Sequence, residues 1–422
     1  MQMPAEARDP ARFSVGVNYW PRRQATAMWR LFDTGEIRED LARVAGLGLD
    51  TVRVFLRWDD FAPAPDRIDP LMLERLKQLV GFVRDAGLCI MPVLLGAEAG
   101  GLPFLPAWAR DARAPSFAGD IYTGGLLKAQ VGYAGAVAAA LGDDPAIAAW
   151  DLAHRFSALR APRAGKLRTG GHETAPAAES EVAAWATALK RAVRAHSRRP
   201  ITIGTSSDDL TVDRNARFSS ITGTIDFASM QGAAIDAPFA RNRLDPEAVP
   251  FLALVAAAFS FRPVLVTSVG APTCAAGKLS LFERLPPAGA PEDAVAADDP
   301  LFAPFACLTE DEHAAYCRAT LERLHADGRL GAYWWCWSDY GADAPLEAAP
   351  PYARSYGIMR SDGTAKPIAA VLEAFAREAR PVLAPHDMPM ISAEYYYRTL
   401  PASMKTLYDA FLLHVAEHRP AF

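Results

Sequence analysis

Short β-branched and apolar runs alternate along the chain with stretches whose apolar residues recur every three or four positions. Alternation of these two periods marks repeated βα units and a parallel sheet. Strands are predicted at residues 13–19, 51–57, 88–95, 147–152, 200–204, 225–230, 264–267 and 331–337. Helices are predicted between them at 37–47, 71–86, 126–141, 181–195, 246–259 and 310–326, with another at 366–377. Leu71, Leu73, Leu76, Leu79, Val80 and Val83 share one predicted helical face. Gly48, Gly87 and Gly328 each stand between a helix and the next strand, where a glycine C-cap belongs.

Eight such strands with helices between them predict a (β/α)8 TIM barrel, an α/β fold whose sites lie at the C-terminal ends of the strands. The long connections fall on that face: residues 96–125 after strand three, 153–180 after strand four and 268–309 after strand seven. Connections of this length in a compact domain usually carry function. Residues 1–380 are expected to form the barrel. Residues 381–422, with Tyr395-Tyr396-Tyr397 and a helical pattern at 404–415, are expected to form a short C-terminal helical extension packed on it.

At 422 residues, with 51% hydrophobic and 22% charged side chains, the chain can bury a large core. A net charge of −5 gives no drive toward nucleic acid or an anionic membrane, so neither partner is expected. The five cysteines, Cys89, Cys274, Cys307, Cys317 and Cys336, contain no C-x-x-C pair and stand apart from the histidines. No metal and no cofactor is therefore expected, and Cys89 and Cys336 read as buried small hydrophobes. Residues 1–12 lack the apolar stretch of a secretory signal, and no run approaches the roughly 20 apolar residues of a membrane span. A cytoplasmic location is the expectation.

Chemistry is suggested by two strand ends. Trp150-Asp151-Leu152-Ala153-His154-Arg155 and Pro263-Val264-Leu265-Val266-Thr267-Ser268-Val269-Gly270-Ala271-Pro272-Thr273 resemble the segments W-D-L-x-N-E-P and P-V-L-V-T-E-F-G-x-P-T of clan A glycoside hydrolases. The resemblance, to glycoside hydrolase family 5 and cellulase-like barrels, spans most of the chain. Gly16-Val17-Asn18-Tyr19-Trp20-Pro21 is similar to the first strand and Thr51-Val52-Arg53-Val54-Phe55 to the second. Trp58-Asp59-Asp60-Phe61-Ala62-Pro63 is similar to the turn that follows. Asp226-Phe227-Ala228-Ser229-Met230-Gln231-Gly232 resembles D-F-x-S-M-H-x-Y with Gln231 for histidine, and Trp334-Trp335-Cys336-Trp337-Ser338-Asp339-Tyr340 resembles the eighth strand with its sugar-platform tryptophan.

What the resemblance implies is a saccharide site with both catalytic glutamates replaced, the acid/base by Arg155 and the nucleophile by Ser268. Glycosidases need two carboxyls, about 5–5.5 Å apart when retaining and about 6.5–9.5 Å apart when inverting. A guanidinium holds its proton to a pKa above about 12 and cannot serve as the acid; a serine without a base beside it is a weak nucleophile. There is no Asp or Glu from Leu152 to His172 or from Ala248 to Phe282, so sliding either segment recovers no carboxylate. Further departures are His154 for asparagine, the segment Leu95-Gly96-Ala97-Glu98-Ala99-Gly100-Gly101, and Tyr352-Ala353-Arg354-Ser355-Tyr356-Gly357, where a His-Glu pair would stand.

The residues expected to meet a ligand are Asn18, Trp20, Arg53, Trp58, Asp59, His154, Arg155, Gln231, Ser268, Trp335 and Asp339. Several have a plainer role beside the functional one. Arg53 serves equally as an internal ion pair, and Arg155 as the partner of Asp59, Asp208 or Asp339. His154 reads as a structural histidine and Ser268 as a filler of vacated volume. Trp335 and Trp337 alternate along the predicted strand, which puts both on one face with Cys336 opposite, and Trp335 is the expected platform. Arg160, Arg163, Lys166 and Arg168 make the loop after strand four basic. That composition fits a solvated loop, or recognition of an anionic saccharide.

Three functions compete. The first is a carbohydrate-binding pseudoenzyme. The second is a glycosidase using relocated acids among Glu98, Asp59, Asp60, Asp208, Asp209 and Asp339, which would need one raised pKa and one ionised partner. The third is a scaffold for a protein partner, which an exposed apolar patch around Phe104, Leu105 and Trp108 would support.

Overall fold

The computed structural model describes residues 9–96, 98–99, 102–109, 121–159, 178–211, 213, 217–274, 281–282, 305–306, 308–346 and 351–419. Eight parallel strands close into a barrel in chain order: β1 (Ser14–Asn18), β2 (Thr51–Phe55), β3 (Cys89–Gly96), β4 (Trp150–His154), β5 (Ile201–Thr205), β6 (Ala228–Gln231), β7 (Val264–Val269) and β8 (Gly331–Trp334), with β8 returning to β1. Each strand is followed by a helix: α1 (Thr34–Gly46), α2 (Pro70–Asp85), α3 (Gly124–Leu141), α4 (Glu179–Arg194), α5 (Phe218–Ile221), α6 (Ala248–Ser260), α7 (Glu310–Ala326) and α8 (Pro367–Arg377). The predicted order is the observed one. The pattern gave no sign of α5, a single turn too short to show a helical period.

Helix ends follow the local chemistry. Asp33 caps α1 by accepting from the amides of Gly35 and Glu36, and Asp69 caps α2 ahead of Pro70. Thr309 and Glu312 form a reciprocal capping box on α7. Gly48, Gly87 and Gly328 have φ of 74°, 74° and 68°, the left-handed turn that releases a helix into the next strand. On α2, Leu76, Leu79, Val80 and Val83 are buried, but Leu71 is 52% exposed and Met72 takes the inward position. The first turn of the helix, just past its cap, leaves Leu71 beyond the packed face.

Inside the barrel, Met91, Ala149, Phe227, Leu265 and Tyr333 form a compact apolar cluster. Gly16 makes room for Tyr333, since a Cβ there would lie 2.6 Å from its ring. After α8 the chain adds α9 (Ala393–Thr399) and α10 (Ser403–His418). Tyr396 packs 4.7 Å from Phe259, and Tyr408 packs 5.2 Å from Phe251 while donating to Asp245 at 2.6 Å. The extension thus covers the outer face of α6 with aromatic rings. Among the described residues no helix is long and apolar enough to cross a membrane.

Candidate functional site

The C-terminal ends of β1, β2 and β4 meet in one enclosed polar network. Arg53 donates from Nη1 to Asn18 Oδ1 at 2.9 Å and from Nη2 and Nε to Asp151 Oδ2 at 2.7 and 3.2 Å. Its Nη2 also lies 3.1 Å from His154 Nδ1, which must accept, so the imidazole proton sits on Nε2. Asn18 in turn donates to the carbonyls of Thr267 and Trp334, tying the network to β7 and β8. Arg53 and Asp151 are both fully buried. Burial pushes the Asp151 carboxyl above its ordinary range, against the pull of Arg53 and of the Gly204 and Ala153 amides. The ion-pair alternative for Arg53 is therefore the observed one. Sequence reasoning missed Asp151, although an acid inside an apolar strand signals a buried partner.

Above this network lies an aromatic cluster centred on Phe55. His154 meets it edge-on at 5.0 Å, Trp335 edge-on at 5.8 Å and Trp20 stacks on it at 5.7 Å. The Arg53 guanidinium lies 4.7 Å from the same ring. Trp20 and Phe55 are buried, whereas Trp335 keeps part of its surface open.

The eighth strand departs from expectation. It ends at Trp334, and the Trp335–Cys336 peptide is cis. Strict alternation therefore does not extend through Trp337. Trp337 and Cys336 are both buried, and Trp334 points to α7, where its Nε1 donates to His313 at 3.1 Å. Trp335 alone of these keeps a platform's exposure.

Arg155 directly follows β4 in a left-handed conformation, φ 52°, and is buried. Ser268 lies in β7 in register with Gln231 of β6, and its carbonyl accepts from Gly232. Ser268, Gln231 and Trp335 are the predicted site residues on β6, β7 and the end of β8 that retain partial exposure. They offer a hydroxyl, an amide and an indole face.

Among the described residues, the candidate relocated acids Asp59, Asp60, Asp209 and Asp339 each have partners. Arg57 holds Asp59 through two hydrogen bonds of 3.1 and 2.5 Å, and Asp60 pairs with Arg30 at 2.8 Å. Burial and the neighbouring Asp59 raise the Asp60 carboxyl, against Arg57 and Arg30. Asp209 accepts from Ser157 and from the amide and hydroxyl of Ser206. Asp339 pairs with Lys366 at 2.7 Å and accepts from the Gly357 amide at 2.8 Å. Burial pushes Asp339 up, with Lys366 opposing. Asp59 and Asp339 are thus not partners of Arg155 in the ion-pair alternative. The side chains of Glu98 and Asp208, and Arg160, Arg163, Lys166 and Arg168, lie outside the described residues.

Two further expectations are corrected by packing. Trp58 is buried against Trp108 at 5.1 Å, in a short helix, Trp58–Phe61. Phe104 and Leu105 are fully buried and Trp108 is partly buried, so these three described residues do not form an exposed apolar patch. Phe104 instead packs on Trp20, with its ring 4.8 Å from the Arg57 guanidinium. Cys89, Cys317 and Cys336 are buried and not disulfide-bonded, and burial pushes the Cys336 thiol up to about 12. Cys274 is disulfide-bonded. Among the described residues no group of three His, Cys, Asp or Glu side chains is arranged to hold a metal ion.

Comparison with known proteins gives structural likenesses only. No family model and no curated protein matches the sequence. The chain superposes on the GH5_18 protein of Streptomyces cattleya, a glutamate-to-alanine variant in complex with Manβ1-4GlcNAc, with a TM-score of 0.76 at 20% identity, covering 96% of this chain and 92% of that one. The GH5_18 protein of Bifidobacterium longum gives 0.76 at 21% identity, covering 97% and 91%. The exo-β-1,4-mannosidase Op5Man5 of an Opitutaceae bacterium gives 0.66 at 23% identity, covering 87% of this chain and 60% of that one. The fold is therefore that of glycoside hydrolase family 5 barrels of clan A.

Proposed function

We propose that this chain is a saccharide-binding protein on a glycosidase barrel, and that it does not cleave its ligand by a carboxylate pair. The observation that carries the reading is that Arg155 and Ser268 stand at the ends of β4 and β7, while Asp59, Asp151, Asp209 and Asp339 are all held by internal partners. An acid and a nucleophile must both face the glycosidic bond. Carboxylates locked to arginine, lysine or serine are committed elsewhere.

The ligand is read from the partly open groups. Trp335 offers a face for a sugar ring, and Gln231 and Ser268 offer neutral hydrogen-bonding groups. The Arg53 charge is cancelled by Asp151. These features favour a neutral saccharide over the anionic one, and the Manβ1-4GlcNAc bound by the Streptomyces cattleya protein is the natural probe. The proposed compartment is also revised. A disulfide at Cys274 favours an oxidising environment over the cytoplasm.

Titration calorimetry with Manβ1-4GlcNAc, followed by chromatography of the same mixture after a day, tests both halves. The expected result is measurable binding with intact disaccharide. Release of mannose that a Ser268→Ala or Trp335→Ala change abolishes would overturn the non-catalytic half and return attention to relocated acids. No binding of this disaccharide or of other neutral glycans, alongside capture of uronic-acid glycans, would overturn the ligand class.

A further inference from the structure

Three histidines join the C-terminal helix to the segment before it. His414 and His418, one turn apart on α10, stack with ring centroids 4.4 Å apart at 22°. His386 stacks on His414 at 5.2 Å and 30°, and lies 6.4 Å from His418. The rings lie face to face rather than pointing at a common centre, and no metal-holding set exists among the described residues. Metal capture is therefore not what they are built for as they stand.

Their polar atoms favour another role. The Nε2 atoms of His386 and His414 are buried with no hydrogen-bond partner. An imidazolium carries a proton on both nitrogens. A neutral ring can avoid an unaccepted Nε2–H by holding its proton on Nδ1, whereas a charged His414 ring cannot, and its charge would stand against the neighbouring rings at 4.4 and 5.2 Å.

The surrounding charges are largely committed. Arg419 of the same tail pairs with Asp327, at the end of α7, and with Glu247, at the start of α6, at 2.8 and 2.7 Å. Arg323 of α7 also holds Glu247 at 2.6 Å. Asp387, beside His386, faces Arg329 at 3.4 Å, and the amide of His386 donates to the Asp327 carbonyl. Glu417, 74% exposed, is 4.0 Å from His418 and is screened by solvent.

We propose that the His386–His414–His418 stack is a pH-sensitive clasp that holds α10 against the barrel and loosens as the ring in its middle, His414, takes up a proton. Burial and the two neighbouring rings hold the His414 imidazole below its ordinary range. The released helix binds the proton more readily, so the docked state loses stability as pH falls below about 6.5. Loosening would uncover the α6 face on which Tyr408 and Phe411 pack.

Hydrogen–deuterium exchange of the full chain at pH 7.5 and 5.0, corrected for the intrinsic pH dependence of exchange, tests the clasp. Protection of residues 403–418 is expected to fall at least about tenfold at pH 5.0, with the barrel strands unaffected. An H386F/H414F variant, which keeps the stacking and cannot be protonated at those rings, is expected to show equal protection of the helix at both pH values. Unchanged protection in the wild type, or a drop of the same size in the double variant, would overturn the proposal. Should that variant fail to dock at pH 7.5, H418Q decides instead: a smaller pH response than wild type supports the clasp, and an equal one refutes it.

Discussion

Arg53 and Asp151 form an ion pair from which water is entirely excluded, with Nη2 2.7 Å from Oδ2. Their neighbours Asn18 and His154 accept two more of the guanidinium's hydrogen bonds. The Arg53 charge is matched within the barrel.

Replacing Asp151 by Asn keeps the volume and removes the compensating charge. The variant is expected to lose about 3–5 kcal/mol of unfolding free energy, because Arg53 is left charged and buried. Urea unfolding at neutral pH measures it. A loss under about 1 kcal/mol would mean that Arg53 finds another partner or water.

Trp335→Ala removes the partly open indole beside Phe55. Saccharide affinity is expected to weaken roughly two- to twelvefold, the equivalent of about 0.5–1.5 kcal/mol of lost ring contact. Calorimetry on wild type and variant checks this, with circular dichroism to show that the barrel persists. Equal affinities would remove Trp335 from the site.

Gly270→Ala tests how tightly the platform is seated. A Cβ at Gly270 would collide with the Trp335 carbonyl oxygen. About 1–3 kcal/mol of stability should be lost through overpacking, together with saccharide affinity. If only stability falls, the backbone at Trp335 has yielded without moving the ring.

Lys366→Met strands Asp339, whose carboxyl burial already pushes up against the pull of that lysine. Without Lys366 the folded-state pKa rises further. A raised carboxyl pKa lets the folded protein bind the proton more tightly than the unfolded chain, so stability is lost as pH rises through the unfolded value of about 3.9 toward the folded one. The destabilisation by Lys366→Met should accordingly reach about 3–5 kcal/mol at pH 7 and shrink toward pH 4. Thermal unfolding across that range gives the sign, and a penalty that grows on acidification would contradict it.

Much of the barrel was legible because its signals are local. Glycines at positions 48, 87 and 328, capping side chains and apolar periods act within a few residues, and the observed helices begin and end close to where those signals place them. The turn α5 and the early end of β8 were not legible. One has too few residues for a period, and the other depends on how the chain from Trp335 packs against Phe55 and β1.

For the site, the sequence alone determined which functional groups exist: an arginine just past strand four and a serine on strand seven, with no Asp or Glu from Leu152 to His172 or from Ala248 to Phe282. Only the tertiary structure decided what the remaining groups do. It matched Arg53 with Asp151, Asp339 with Lys366 and Asp59 with Arg57, buried Trp20 and Trp58, and left Trp335, Gln231 and Ser268 partly open. The division has a physical cause. Residue identity sets the charge and hydrogen bonds a side chain must satisfy, whereas the partner that satisfies them is brought near by strands as far apart in sequence as residues 53 and 151.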